Sequence, residues 1–173
     1  QSMDLLEGMD LRKMLATGKP IAWERKLEIM DQVCDGLSFA HEQGLVHRDI
    51  KPANIFIETS GRVRVFDFGM ARVQASNLTR AGAAVGTLNY MAPEQLRGET
   101  CSPASDVFAA AVVFYELCSG RQPFSFGESN LAKVLSNIMF LAPPPINTVA
   151  PDAPEGLNMA LTRALEKEPA KRL

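Results

Sequence analysis

Cysteine is scarce in this chain of 173 residues, and what there is does not cluster: Cys34, Cys101 and Cys118 are odd in number and share no C-x-x-C spacing. That pattern argues against a disulfide framework and against a thiolate zinc site, and makes a reducing compartment, the cytoplasm, the natural setting. Long apolar runs are lacking too. The longest, Val107 to Tyr115, has nine residues, about half of the roughly 20 that a bilayer-crossing helix needs, and no basic-then-apolar leader stands at the start. Neither sign of charge dominates: 18 Lys and Arg against 20 Asp and Glu leave a net charge of −2. No bulk field draws the chain to nucleic acid or to an anionic membrane, so any phosphate must be held by local groups. Internal repeats and low-complexity tracts are absent, and the one proline-dense stretch, Pro143-Pro144-Pro145, reads as a short extended connector.

What is present is enough apolar residue, 46% of the chain, to bury one sizeable core in a single domain. Trp23, Leu27, Met30, Val33, Cys34, Leu37 and Ala40 recur every three or four residues, which predicts an amphipathic helix closed by Gly44. Ser105 to Cys118 is apolar almost all round and predicts a buried helix. Helical patterns also cover Asp10 to Ala16, with Gly18 as its stop, Asn130 to Met139, and a stripe at Leu157, Ala160, Leu161, Ala164 and Leu165. Ile55 to Glu58 and Arg62 to Phe66 flank a turn at Thr59-Ser60-Gly61 and read as a β-hairpin. Met70 to Met91 has few periodic apolar residues and four hydroxyls, and reads as a mobile loop.

Between the first long helix and the hairpin lies His47-Arg48-Asp49-Ile50-Lys51-Pro52-Ala53-Asn54. Pro52 has no amide N–H and disfavours helical backbone just before it, so this segment cannot continue the upstream helix. Asp49, Lys51 and Asn54 therefore sit on irregular backbone, where reactive side chains are usually presented. An isolated Asp-x-Lys is most often a solvated ion pair. Here, however, Asp67-Phe68-Gly69 begins 13 residues past Asn54, and Ala92-Pro93-Glu94 ends 27 residues past Asp67. Antiparallel pairing of the hairpin brings Asn54, which enters its first strand, beside Asp67, which leaves its second. Two oxygen-bearing side chains so placed suit a hard divalent cation.

H-R-D-x-K-x-x-N, D-F-G and A-P-E in that order resemble the signature set of the eukaryotic-type protein kinase family. The resemblance covers nearly the whole chain and implies a protein-kinase-like α+β fold. Within it, residues 1–173 correspond to a hinge at 3–8 and the mainly helical large lobe at 9–173, with the catalytic loop at 47–54 and an activation segment at 67–94. Both ends look cut, and Lys171-Arg172 is expected to lead into a further helix. The small lobe's Gly-rich loop, its lysine strand and its glutamate helix have no counterpart in these residues.

The resemblance implies an ATP-dependent Ser/Thr protein kinase using Mg²⁺, with Mn²⁺ as an alternative. Asp49 matches the catalytic base and Lys51 the cation beside the γ-phosphate; Asn54 and Asp67 match the metal ligands. Asp4 and Leu6 match hinge positions that bind adenine, and Phe56 joins them on the nucleotide side. Lysine at position 51 and the match of Thr87 to a threonine bridging the catalytic Asp and Lys both favour Ser or Thr as the acceptor. Arg48 and Arg72 match a basic pocket for a phosphate on Thr79 or, as second choice, Ser76, a device that orders the activation segment. Dimerisation is a route to such autophosphorylation. His47, Phe68, Glu94, Asp106 and Arg172 match structural positions: Asp106 is expected to hydrogen-bond the catalytic-loop backbone and Glu94 to pair with Arg172. A plain helix N-terminal acid is the other account of Asp106. His41 is given no chemistry beyond a packed or hydrogen-bonded role.

Two departures concern packing. Phe108 and Ala111 stand where the family usually has tryptophan and glycine. In style, His47 to Asn54 and Val85 to Gln95 resemble bacterial kinases of the eukaryotic type, which are often cytosolic domains tethered by a membrane segment outside the kinase domain. A pseudokinase or scaffold, and a small-molecule phosphotransferase, are the competing readings. The presence of Asp49, Asn54 and Asp67 argues against the first, and Ala92-Pro93-Glu94 with Arg172 against the second.

Overall fold

The computed structural model describes residues 7–68, 88–128 and 130–173. Its elements run in the order β1 (Gly8–Asp10), α1 (Leu11–Ala16), α2 (Trp23–Glu42), a 3₁₀ turn (Pro52–Asn54), β2 (Ile55–Glu58), β3 (Val63–Val65), α3 (Pro93–Leu96), α4 (Pro103–Ser119), α5 (Leu131–Phe140), α6 (Ile146–Val149), α7 (Leu157–Ala164) and a final 3₁₀ turn (Pro169–Lys171). None of the described helices is long and apolar enough to cross a membrane.

The all-round apolar stretch becomes α4, and its two faces explain the composition. Ala109, Ala110, Val113 and Leu117 pack with α1, α2 and the sheet. Phe108, Ala111, Val112, Tyr115 and Cys118 pack with α5, α6 and α7. A helix placed between two cores has no face left for polar residues. Phe108 is fully buried and stacks parallel to Phe124, with ring centroids 5.8 Å apart. Lys167 Nζ sits 3.9 Å from the Phe124 ring centre and donates to the Ile138 carbonyl at 2.7 Å. Burial, then the Arg172 charge, holds that ammonium down to about 8.

The predicted helix from Trp23 is present and ends where expected, with Gly44 in left-handed backbone (φ +73°) just past its C-cap. Its buried stripe is rotated from the expected one. Ile29 is completely buried, whereas Leu27 is 43% exposed and Cys34 is exposed. The cause is that α2 packs toward the hairpin, where Gln32 Oε1 accepts the Val63 N–H at 2.9 Å. Leu27 and Cys34 instead line an open apolar groove between α2, α4 and α7.

The hairpin pairs Ile55 with Val65 and Ile57 with Val63, and a third strand joins it: β1 runs antiparallel to β2, with Gly8 opposite Glu58 and Asp10 opposite Phe56. Glycine is needed at position 8 because a Cβ there would meet the Ile57 carbonyl at 2.2 Å. Asp10 then caps α1 by accepting the Lys13 N–H at 2.8 Å.

Glu94 and Arg172, 78 positions apart, form a bidentate pair at 2.6 and 2.8 Å with both side chains almost fully buried. Every N–H of the Arg172 guanidinium has an acceptor, since Ala104, Glu166 and Lys167 carbonyls take the rest. Ser105 Oγ donates to Glu94 Oε1 at 2.7 Å, which ties α3 to the start of α4. Burial pushes the Glu94 carboxyl up, but the bonds from Arg172, from the backbone and from Ser105 outweigh it and leave it below the usual carboxylate range. Replacing Arg172 with Ala should cost roughly 3 to 5 kcal/mol at neutral pH, because a bare carboxylate stays buried. A lowered folded value means the stabilisation is present above the unfolded carboxylate range and lost as pH falls through the folded one. Denaturant titrations of both proteins should therefore converge on acidification; equal stability at neutral pH would contradict the pairing.

Candidate active site

The loop from His47 to Asn54 is built around one carboxylate. Asp106, in the first turn of α4 and 1% exposed, accepts the backbone N–H of His47 on Oδ2 and of Arg48 on Oδ1, both at 2.8 Å. His41 Nε2 lies 2.8 Å from Oδ2 as well, so the histidine left without chemistry helps hold this acid from α2. Three contacts saturate a charge that would otherwise be costly to bury. The loop-bonding role expected of Asp106 and the helix N-terminal role hold together.

Held in this way, Arg48 adopts left-handed backbone at φ +70°, which is strained for a side chain with a Cβ. His47 is fully buried, and its Nε2 lies 2.7 Å from the Phe66 carbonyl, so that nitrogen carries the proton. Nδ1 is then an acceptor, and receives the Asp49 N–H at 3.2 Å. The Phe68 ring packs against the imidazole at 4.6 Å between centroids. His47 thus links the loop to the strand end that carries Asp67 and Phe68.

Asp49 and Lys51 meet at 2.7 Å through Oδ2, each about one-fifth exposed. Asn54 is nearly buried, and its Nδ2 donates to the Asp49 carbonyl at 2.8 Å and to Oδ2 at 3.1 Å. Two donors therefore occupy one carboxylate oxygen, while Oδ1 has no hydrogen bond among the described residues and is left to accept a proton. With both amide bonds made through Nδ2, Asn54 Oδ1 likewise has no hydrogen bond among the described residues. The Phe66 N–H donates to the Asn54 carbonyl at 2.9 Å, and this closes the hairpin so that Asn54 and Asp67 emerge side by side. Asp67 is exposed, takes left-handed backbone at φ +65°, and makes no hydrogen bond among the described residues. An amide oxygen and a free carboxylate suit Mg²⁺, which keeps several waters and substrate phosphates among its ligands. Among the described residues no group of three or more His, Cys, Asp or Glu converges on a point.

The remaining candidates divide by position. Phe56 lies on β2 with its ring edge-on to Phe66 at 5.9 Å. Arg48 exposes its side chain and makes no salt bridge among the described residues. Asp4, Leu6, Arg72, Ser76, Thr79 and Thr87 lie outside the described residues, as does most of the Met70 to Met91 segment.

Pattern reading passed over two further groups of hydrogen-bonded side chains. Tyr90 donates to Glu116 Oε2 at 2.6 Å and receives Gln122 Nε2 at 2.7 Å; Gln122 Oε1 takes Asn89 Nδ2 and Ser125 Oγ. Burial, then the Glu116 charge, pushes the Tyr90 hydroxyl far up, and burial raises Glu116. Asn89 Oδ1 is buried without a partner among the described residues. Gln95 is the second addition: its Oε1 accepts the Ala92 N–H, and its Nε2 donates to the Arg48 carbonyl, both at 2.9 Å. A glutamine three residues after a helix N-cap is the one sequence signal that could have flagged it.

Comparison with known proteins identifies the family. The protein kinase domain family matches residues 2–173. The chain is 39% identical over 173 residues to serine/threonine-protein kinase PknB of Mycolicibacterium smegmatis, covering 98% of this chain and 27% of that protein. It is 40% identical over 171 residues to serine/threonine-protein kinases drp72 of Corynebacterium efficiens, covering 98% and 32%. It is 39% identical over 171 residues to serine/threonine-protein kinase PknA of Mycobacterium tuberculosis, covering 98% and 38%. The chain thus spans about a quarter to two-fifths of the length of these relatives, and it belongs to the protein kinase domain family.

Asp106→Asn should destabilise the domain by about 1 to 3 kcal/mol, because an amide can accept only one of the two loop N–H groups and leaves the other unpaired. Urea unfolding of the variant beside wild type measures this. A loss of only a few tenths of a kcal/mol would show that the loop does not depend on both bonds.

Proposed function

We propose that this family member catalyses transfer of the γ-phosphate of ATP to Ser or Thr hydroxyls of proteins, and that residues 9–173 are the large lobe and 3–8 the hinge of its kinase domain. The observation that carries the reading is the Asp49, Lys51 and Asn54 cluster, whose one uncommitted carboxylate oxygen sits on a backbone pinned by Asp106. The match to relatives named serine/threonine-protein kinases supports it.

In this reading Asp49 Oδ1 accepts the hydrogen bond of the acceptor hydroxyl and takes its proton as the oxygen attacks the γ-phosphorus and the bond to the β–γ bridging oxygen breaks, releasing ADP. A positioned base of this kind contributes roughly 10²- to 10⁴-fold. Lys51, paired to the other oxygen, keeps Asp49 aimed and sets a positive charge where the transferring phosphoryl group must pass. Asn54 Oδ1 and the Asp67 carboxylate would hold Mg²⁺, which neutralises phosphate charge when bound. His47 and Phe68 keep the Asp67 strand end against the loop. Asp4, Leu6 and Phe56 would face the adenine and Thr87 would bridge Asp49 and Lys51. Arg48 and Arg72 would receive a phosphate on Thr79 or Ser76 as charge-assisted hydrogen bonds that order the activation segment. Dimerisation would bring one activation segment to another chain's site. A cytoplasmic location follows from the nucleotide and the free thiols. Transfer in this reading requires a small lobe that covers the phosphates from the other side.

The test is ATP-dependent autophosphorylation of the gene product with its small lobe, mapped by mass spectrometry. Phosphate on Thr79 or Ser76 is expected, with a rate roughly 10²-fold or more lower in Asp49→Asn and reduced activity in Thr79→Ala. Nucleotide binding without phosphate in the wild type would transfer the case to a pseudokinase scaffold. Full activity of Thr79→Ala after preincubation with ATP would remove that residue from the account.

A further inference from the structure

The Arg48–Asp49 peptide unit is gripped at both of its polar ends. Its N–H, on Asp49, donates to His47 Nδ1 at 3.2 Å. Its C=O, on Arg48, accepts from Gln95 Nε2 at 2.9 Å. The preceding peptide is fixed as well, by the Arg48 N–H on Asp106 Oδ1. Arg48 lies between these two planes at φ +70°, a conformation that an L residue holds only when its surroundings enforce it. Asp106 alone enforces one plane; the second, from which the Asp49 side chain departs, depends on Gln95 and His47.

Gln95 is itself held firmly. Its Oε1 takes the Ala92 N–H at 2.9 Å, which caps α3, and the neighbouring Glu94 is locked to Arg172 and Ser105. A short helix that is anchored through the core thus extends one amide to the loop.

We propose that Gln95 is a positioning residue for the transfer reaction: by holding the Arg48 carbonyl it sets the orientation of the Arg48–Asp49 peptide, and so the aim of the Asp49 carboxylate. The same contact couples the end of the activation segment to the base, because the donor and the Ala92 cap share one side chain. If α3 is displaced, the Arg48 carbonyl loses its donor and Asp49 loses its aim without any change in its own neighbours Lys51 and Asn54. This rests on the kinase reading, but the contact can be tested apart from it.

Gln95→Glu isolates the relevant bond. A carboxylate of the same length still accepts the Ala92 N–H but offers the Arg48 carbonyl no donor. Gln95→Met removes both bonds while keeping the length of the side chain. The full-length wild type and both variants are compared by kcat and KM for ATP and for a Ser/Thr peptide, and by hydrogen exchange of the segment 47–52. In both variants kcat should fall about tenfold or more, the scale set by a misplaced reacting group. KM for ATP should hold within about twofold, since no proposed nucleotide contact is touched. Exchange over 47–52 should quicken while α4 stays protected. Unchanged kcat and unchanged exchange in Gln95→Glu would overturn the proposal, as would a matched loss of exchange protection in α4, which marks a purely structural role. A wild type that transfers no phosphate, with faster loop exchange in the variants, would remove the kinase reading and leave the positioning contact supported.

Discussion

The geometry of the loop from His47 to Asn54 depends on a buried carboxylate bonding to backbone. Asp106 takes the N–H groups of His47 and Arg48, and His41 closes on the same carboxylate from α2. A lone buried charge would be expensive, but one saturated by donors on three sides becomes a rigid node, because moving any partner leaves another unpaired. The node is where it is because α4 is apolar on both faces and can be packed only at the centre. Its single acid in the first turn is then necessarily deep, and the loop comes to it.

Four carboxylates carry the rest of the logic, and burial sorts them. Glu94 and Asp106 are almost fully buried, have donors on both oxygens, and hold backbone or helix termini in place. Among the described residues, Asp49 is partly open with one oxygen committed and one without a hydrogen bond, and Asp67 is exposed and makes none. The first pair supplies a fixed frame; the second pair supplies oxygens that a hydroxyl proton and a hard cation can claim. Strained backbone at Arg48 and Asp67, two of the three described non-glycine residues with positive φ, lies beside those open oxygens, where the frame can hold it.

Much of this was legible in the sequence because it depends on local rules or on ordered motifs. Period and caps placed α2, α4, α5 and α7, and Pro52 announced irregular backbone at the loop. The pairing of Glu94 with Arg172, and of Asp106 with the loop, came from the motif set and was met in the structure. What escaped depends on contacts between residues far apart in the chain. Three residues at Gly8 form a strand only because β2 offers an edge, and the four-residue α6 after Pro145 is too short for a period to register. Ile29 displaced Leu27 in the buried stripe of α2 because the hairpin, not the helix's own pattern, decides which side is covered. Phe108 fills the place expected of a larger aromatic by stacking on Phe124, with Lys167 laid across it, a packing that no spacing encodes. Gln95 carries an ordinary capping signal, and its second bond, 47 positions away, is visible only when the loop is folded.

The most direct test of this division between frame and free oxygens is a crystal structure of the full kinase domain with Mn²⁺ and a non-hydrolysable ATP analogue, with the metal located by anomalous scattering. The account predicts metal bound to Asn54 Oδ1 and the Asp67 carboxylate, with Asp49 Oδ1 still open and the Asp106 bonds to His47 and Arg48 unchanged. Metal held elsewhere, or a loop that has left Asp106 in the loaded state, would contradict it.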